Sequence, residues 1–312
     1  MTRTPPSASR STTASTDPSA GRALVLAGAG AAGNAWELGL IAGLSDTGID
    51  LTAAELVIGT SAGSTVAAQI TSGTRPAELY AAILSEVPHP AGGAASDRAR
   101  TAPPSSVRYL DWSNDIIGSA ADAPDMRRRM GAAAIAREAT DGSTGARWRE
   151  IVAARLPRRD WPDQPVLVAA VDADTGEPVV FDRNSGIDLV DAVAASTSNG
   201  FGGAYRIGER RYINGGYRRS ENADLAAGYG RVLVLSPFSG ASRMPQAWRM
   251  DLASQVAELR AGGSRVEVVV PDPGAGDVFN ANAMDPSTRL QAARGGYEQG
   301  RGLAESMAAF WR

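Results

Sequence analysis

Arg22-Ala23-Leu24-Val25-Leu26-Ala27-Gly28-Ala29-Gly30-Ala31-Ala32-Gly33 is a short apolar run that dissolves into glycines, and Val57-Ile58-Gly59-Thr60-Ser61-Ala62-Gly63 repeats the construction one unit later. Apolar runs of this length bounded by glycine read as buried strands. Helix-compatible sequence follows each, through about Leu44 after the first and from Ser64 to about Thr71 after the second. Two successive strand–turn–helix units predict parallel strands joined by right-handed crossovers. The expected fold is therefore α/β: a single-domain three-layer sandwich around a mostly parallel sheet.

The rest of the chain extends that frame. Further strands are predicted over 166–171, 231–235 and 266–270, with a hairpin through 174–178 into 179–181. A second hairpin pairs 205–207 with 211–213 about Gly208-Glu209 and ends in Asn214-Gly215-Gly216. Helices are predicted over 126–139, 147–156, 189–196 and 247–260. One long helix is predicted over 285–311, with Asp285 as N-cap and Pro286 at its first position. Residues 74–165 read as a helical, loop-rich insertion over the site, broken at Pro88-His89-Pro90, Gly92-Gly93 and Pro103-Pro104. Residues 1–20 are rich in Ser, Thr and Pro with no apolar segment, which predicts a disordered tail rather than a signal peptide and a cytoplasmic protein. Residues 21–312 make up the folded domain.

Composition removes several function classes. The chain has 312 residues, 43% of them hydrophobic, and no apolar run near the roughly 20 residues that span a bilayer, so no transmembrane segment is expected. A net charge of −3 leaves no electrostatic footprint for nucleic acid. The absence of cysteine excludes disulfides, thiolate metal sites and cysteine catalysis, and a single histidine argues against a histidine-based metal centre. No metal or other cofactor is expected.

Two glycine motifs carry the chemistry. Gly28–Gly33 has the formal G-x-G-x-x-G spacing of a dinucleotide site, but that reading needs an acidic residue at the end of the next strand. Here the next strand ends in Gly59-Thr60-Ser61. The loop then reads as an oxyanion hole made of N–H groups at a helix N-terminus, or as a tight turn without a ligand. In Gly59-Thr60-Ser61-Ala62-Gly63, Gly-x-Ser-x-Gly between a strand and a helix lifts a serine hydroxyl onto a sharp turn, where it can attack a carbonyl. A serine nucleophile needs a base. His89, held between two prolines, is a poor one, so a carboxylate or another group must activate Ser61.

Together with Tyr212-Ile213-Asn214-Gly215-Gly216, these motifs resemble the patatin-like phospholipases over nearly all of the chain from Arg22 to Trp311. The resemblance implies a lipid acyl hydrolase with a Ser–Asp dyad and no histidine, acting on lipid or other acyl esters, at a membrane surface among other places. It implies Ser61 as nucleophile, with the amides of Gly28, Ala29, Gly30 and Ala62 as oxyanion donors. Ala192–Phe201 resembles the block preceding the family's aspartate turn. Three departures stand out. Ala29 and Ala32 replace a glycine and a basic residue of the glycine loop. Asn199-Gly200 stands where a proline is usual. Asn214 stands at the position of the dyad aspartate, and a neutral amide cannot take a proton from serine. Three readings of Asn214 stay open: an engineered change that stops turnover; divergence toward a weak hydrolase, an acyltransferase or a lipid- or thioester-binding protein; or replacement of the base by another carboxylate among Asp172, Asp174 and Asp182. Arg127-Arg128-Arg129 and Arg218-Arg219 read either as contacts for anionic head groups or as solvated surface.

Overall fold

A computed structural model describes residues 21–86, 105–139 and 142–311; the tail expected over 1–20 and the loop carrying His89 lie outside the described residues. Eight described strands form one sheet: β1 (Arg22–Leu26), β2 (Leu56–Thr60), β3 (Val166–Asp172), β4 (Pro178–Phe181), β5 (Tyr205–Ile207), β6 (Arg210–Asn214), β7 (Arg231–Leu235) and β8 (Arg265–Val269). The five strands β3, β2, β1, β7 and β8 run parallel in that order. The two predicted hairpins contribute the antiparallel neighbours of β3. Alternation along the strands splits the core in two. Leu24, Leu26, Leu233 and Leu235 pack into one apolar cluster, and Ala23, Val25, Val232 and Val234 into another. Side chains of successive strand residues point to opposite faces, so these clusters are the two helix-covered sides of a three-layer α/β sandwich.

The helices are α1 (Gly30–Asp46), α2 (Ala62–Ile70), α3 (Pro76–Leu84), α4 (Ser105–Ser119), α5 (Ala123–Ile135), α6 (Ser143–Arg155), α7 (Leu189–Thr197), α8 (Leu252–Ala261), α9 (Arg289–Gly302) and α10 (Ala304–Trp311). α1 is buried continuously from Ala32 to Leu44, as its all-round apolar sequence requires. It meets α9 backbone to backbone. A Cβ on Gly39 would stand 2.1 Å from the Ala293 carbonyl oxygen, and one on Gly300 2.4 Å from that of Leu40.

Two sequence expectations are corrected. The C-terminal segment is not one helix: Asp285 accepts from Ser287 N–H and closes a 3-10 turn over Pro286–Thr288, α9 starts at Arg289, and the chain breaks at Leu303. Glycines are weak helix formers, and the break follows two of them: Gly300, which packs against α1, and Gly302, which faces open space. The helix expected from 247 starts at Leu252, where the Asp251 carboxylate caps Ser254 N–H.

The register of β3 positions the site. Val168 and Ala169 pair with both β2 and β4, while Ala170 and Val171 pair with both β4 and β6. β4 therefore takes one flank of β3, and β2 and β6 share the other, end to end. β2 arrives with Thr60 opposite Ala169, and β6 arrives from the opposite direction with Asn214 opposite Ala170. The residue after β2 and the last residue of β6 must then meet.

Candidate active site

Ser61 follows Thr60 with φ 54° and ψ −122°, a left-handed conformation for a non-glycine residue. Such strain costs about 1–3 kcal/mol and persists only where the surroundings enforce it. The glycines around it show how. A Cβ on Gly63 would stand 2.1 Å from the Leu26 carbonyl oxygen, and one on Gly59 2.5 Å from Ser64 Cα. Only glycine lets the turn close against β1. Although Ser61 is the N-cap residue of α2, its side chain makes no capping bond; its carbonyl instead accepts from the N–H and Oγ–H of Ser64. The hydroxyl is left for another partner.

That partner is Asn214, whose Nδ2 donates to Ser61 Oγ at 2.9 Å. The orientation of the amide is fixed from the other end, because Gly216 N–H donates to Asn214 Oδ1 at 2.8 Å. A flipped amide would set NH2 against N–H. The backbone is held as well: Asn214 N–H donates to the Ser198 carbonyl at 2.7 Å, and a Cβ on Gly215 would stand 2.1 Å from the Ala169 oxygen.

The glycine loop lies against the serine, since a Cβ on Gly28 would stand 2.7 Å from Ser61 Cβ. The loop ends β1 and opens α1, with Gly30 at φ +57°. The N–H groups of Gly28, Ala29, Gly30 and Ala62 have no acceptor among the described residues. Gly28, Ala29 and Gly30 line a cavity of about 410 Å³ together with Ser61 and Asn214. Ala62 is buried at the start of α2.

Several supporting residues escape a sequence reading. Ser196, in the block 192–201, accepts from Ser61 N–H at 2.9 Å, so one segment holds the backbone of both Ser61 and Asn214. Fully buried Asn222 donates to Thr60 Oγ1 and to the Gly215 carbonyl, bracketing the two turns. Glu37 is fully buried in α1, where one carboxyl oxygen accepts from Ala27 N–H at 2.9 Å and the other has no partner. Burial pushes its carboxyl well above the ordinary carboxylate value. A lone acid inside Trp36-Glu37-Leu38 was its only sequence signal. Burial also raises Tyr217, whose neutral hydroxyl donates to the Asn199 carbonyl.

The other candidate residues lie elsewhere. Asp172 accepts from Asp174 N–H, Thr175 N–H and Thr175 Oγ in the β3–β4 turn, Asp174 pairs with Arg211, and Asp182 closes the turn to Ser185. None of the three lines the cavity. Arg218 and Arg219 are ion-paired with Asp224 and Glu258, and Arg128 and Arg129 with Asp125. Among the described residues no group of three or more histidines and carboxylates is placed to hold a metal ion, and no helix is long and apolar enough to cross a membrane.

The family model of the patatin-like phospholipases matches residues 24–227, from β1 to beyond the Asn214 turn. No curated protein matches the chain. Similar solved structures include VipD and ExoU. VipD from Legionella pneumophila is 14% identical, with a TM-score of 0.41, over 93% of this chain and 67% of its own. The type III effector protein ExoU is 15% identical, with a TM-score of 0.37, over 91% of this chain and 54% of its own. The family match covers more than half of the residues and both glycine motifs, and the chain belongs to the patatin-like phospholipase family, a family of lipid acyl hydrolases.

Proposed function

We propose that this chain is a serine acyl hydrolase of lipid esters in which Ser61 is the nucleophile and the amides of Gly28, Ala29, Gly30 and Ala62 receive the oxyanion. Asn214 then occupies the position of the general base without being able to act as one. The 2.9 Å contact between Asn214 Nδ2 and Ser61 Oγ carries this reading. In the reaction, Ser61 Oγ attacks the ester carbonyl carbon as its proton passes to solvent water, and the carbonyl oxygen takes the negative charge. Collapse breaks the ester C–O bond; the leaving alkoxide takes a proton from water and departs as the alcohol, and a second water hydrolyses the acyl group left on Ser61. The strained turn exposes Oγ, and the free amides face the charge as it develops. What the chain lacks is the proton acceptor, because an amide N–H donates to Oγ where a carboxylate would accept from it.

The same donor favours a second reading, a lipid- or thioester-binding protein or an acyltransferase that does not release its acyl group to water. Active-site labelling separates a reactive serine from a site that only binds, and ester cleavage then separates hydrolase from acyltransferase. A fluorophosphonate probe should label Ser61 in the Asn214→Asp variant and leave the Ser61→Ala, Asn214→Asp double variant unlabelled. If the single variant also stays unlabelled while lipid still binds, the binding reading replaces the hydrolase.

A further inference from the structure

The cavity wall contains one formally charged side chain among the described residues, Arg243, and neither Asp, Glu, Lys nor His. Elsewhere on the protein arginines pair with carboxylates, as Arg218 does with Asp224 and Arg289 with Glu86. Arg243 has no carboxylate partner among the described residues. Its Nη1 donates to Ser113 Oγ at 2.6 Å and Asn114 Oδ1 at 3.0 Å, its Nη2 donates to Tyr109 at 3.3 Å, and the guanidinium lies 5.6 Å from the centre of the Tyr109 ring. All of these partners are neutral, so this exposed guanidinium is held at the cavity's rim without a compensating carboxylate among the described residues. Tyr109 is itself bonded to Tyr217, which is anchored on Asn199, so this end of the cavity is continuous with the turn that carries Asn214.

The remaining wall is largely apolar. Phe238, Met244, Phe279 and Met284 line it, and Phe238 and Met284 are among the few large apolar side chains left exposed. An apolar chamber with a single fixed cation suits an amphiphile whose acyl chains lie along the wall and whose anionic group meets the guanidinium. Arginine's planar fork matches phosphate or carboxylate oxygens, and an anionic group at the rim gains charge-assisted hydrogen bonds from it. The geometry points to Arg243 as a specificity-determining residue that selects acyl esters carrying a phosphate close to the ester over uncharged ones. This rests on the cavity being the acyl-ester site proposed above.

Equilibrium binding to the native chain tests it, with three probes: dicaproyl phosphatidic acid, dicaproylglycerol and inorganic phosphate. Phosphatidic acid should bind about tenfold or more tighter than dicaproylglycerol. Inorganic phosphate, which has no acyl chains for the wall, should bind weaker than either lipid. Arg243→Gln should weaken phosphatidic acid far more than dicaproylglycerol and so bring the two lipids to similar affinity, and Arg243→Lys should keep part of the preference. The ratio in the native chain should also fall as salt rises from about 0.05 to 0.5 M. That last measurement needs no variant, and a ratio indifferent to salt overturns the assignment. So does equal binding of the two lipids, or an equal loss for both in Arg243→Gln, which would make Arg243 a tie between its loop and α4. Phosphate binding as tightly as the lipid would make the site one for a free anion. Binding needs no reaction at Ser61: if Asn214→Asp fails to hydrolyse esters and the lipid ratio holds, the hydrolase reading falls and the assignment of Arg243 stands.

Discussion

Replacing Asn214 by aspartate should raise ester hydrolysis by ~10²–10⁴-fold, because it changes the chemistry of one atom and leaves its position alone. Oδ1 stays on Gly216 N–H at 2.8 Å, and the backbone N–H stays on the Ser198 carbonyl at 2.7 Å. The strand pairing of residue 214 with Ala170 does not involve the side chain. The new carboxylate oxygen therefore falls where Nδ2 stands now, 2.9 Å from Ser61 Oγ and within the reach a general base needs. At about 1.36 kcal/mol per decade, the expected gain is ~2.7–5.4 kcal/mol of transition-state stabilisation. The assay is cleavage of short p-nitrophenyl esters by freshly purified native chain, by Asn214→Asp and by the double variant that also carries Ser61→Ala. Freshness matters because Asn214-Gly215 is prone to deamidation. If the variant is ~100-fold faster, about 1% of deamidated chain would equal the whole rate of the native protein. Peptide mass spectrometry must accompany each measurement. If the single variant cleaves no faster than the double one, the contact between these two side chains is not a dyad and the reasoning fails.

In the Asn214→Asp background, Gly28→Ala should lower kcat/KM by about tenfold or more without unfolding the protein, since the added methyl stands 2.7 Å from Ser61 Cβ at the cavity edge. Gly39→Ala should lower the stability measured by urea denaturation by at least about 2 kcal/mol, because its Cβ would stand 2.1 Å from the Ala293 oxygen and force α1 and α9 apart. Glu37→Gln should flatten the dependence of stability on pH: with its carboxyl raised by burial, the folded chain holds a proton that the unfolded chain has released. The stability tied to that proton is therefore complete below the ordinary carboxylate value. It falls by about 1.4 kcal/mol per pH unit as pH climbs from there toward the folded value. Urea midpoints between about pH 5 and 8 that run parallel for the two proteins would refute this.

Both strand–glycine–helix units were legible because local sequence determines them: an apolar run, a glycine where the backbone crowds, then a helix. The hairpin ending at Asn214 was legible for the same reason. The meeting of Ser61 and Asn214 was implied only through the family pattern, since it depends on two strands sharing one flank of β3, and no residue near either announces that register. The supports were hidden for a related reason. Ser196 and Asn222 are ordinary polar residues whose partners, Ser61 and Thr60, are far away in the chain, and Glu37 reaches Ala27 only because the glycine loop folds α1 back beside the end of β1. The break at Leu303 was missed because helical periodicity carries through a glycine-rich stretch whose close packing on α1 is a tertiary matter.

What distinguishes residue 214 from its surroundings is how little the fold depends on the one atom that faces the serine. Strand pairing, the Ser198 bond, the Gly216 bond and the contact of Gly215 with β3 all act through backbone or through Oδ1. The features that destabilise the folded state are all in place: a strained Ser61, glycines against backbone, and, among the described residues, four amides without acceptors and a buried carboxyl with an unpartnered oxygen. Each of these costs free energy that a chain without a site could recover by ordinary packing. An amide at Nδ2 recovers none of it. On the proposed reading, the choice between Asn and Asp at 214 thus separates reactivity from architecture: it sets the direction of one hydrogen bond and leaves the strain and the open donors of the site unchanged.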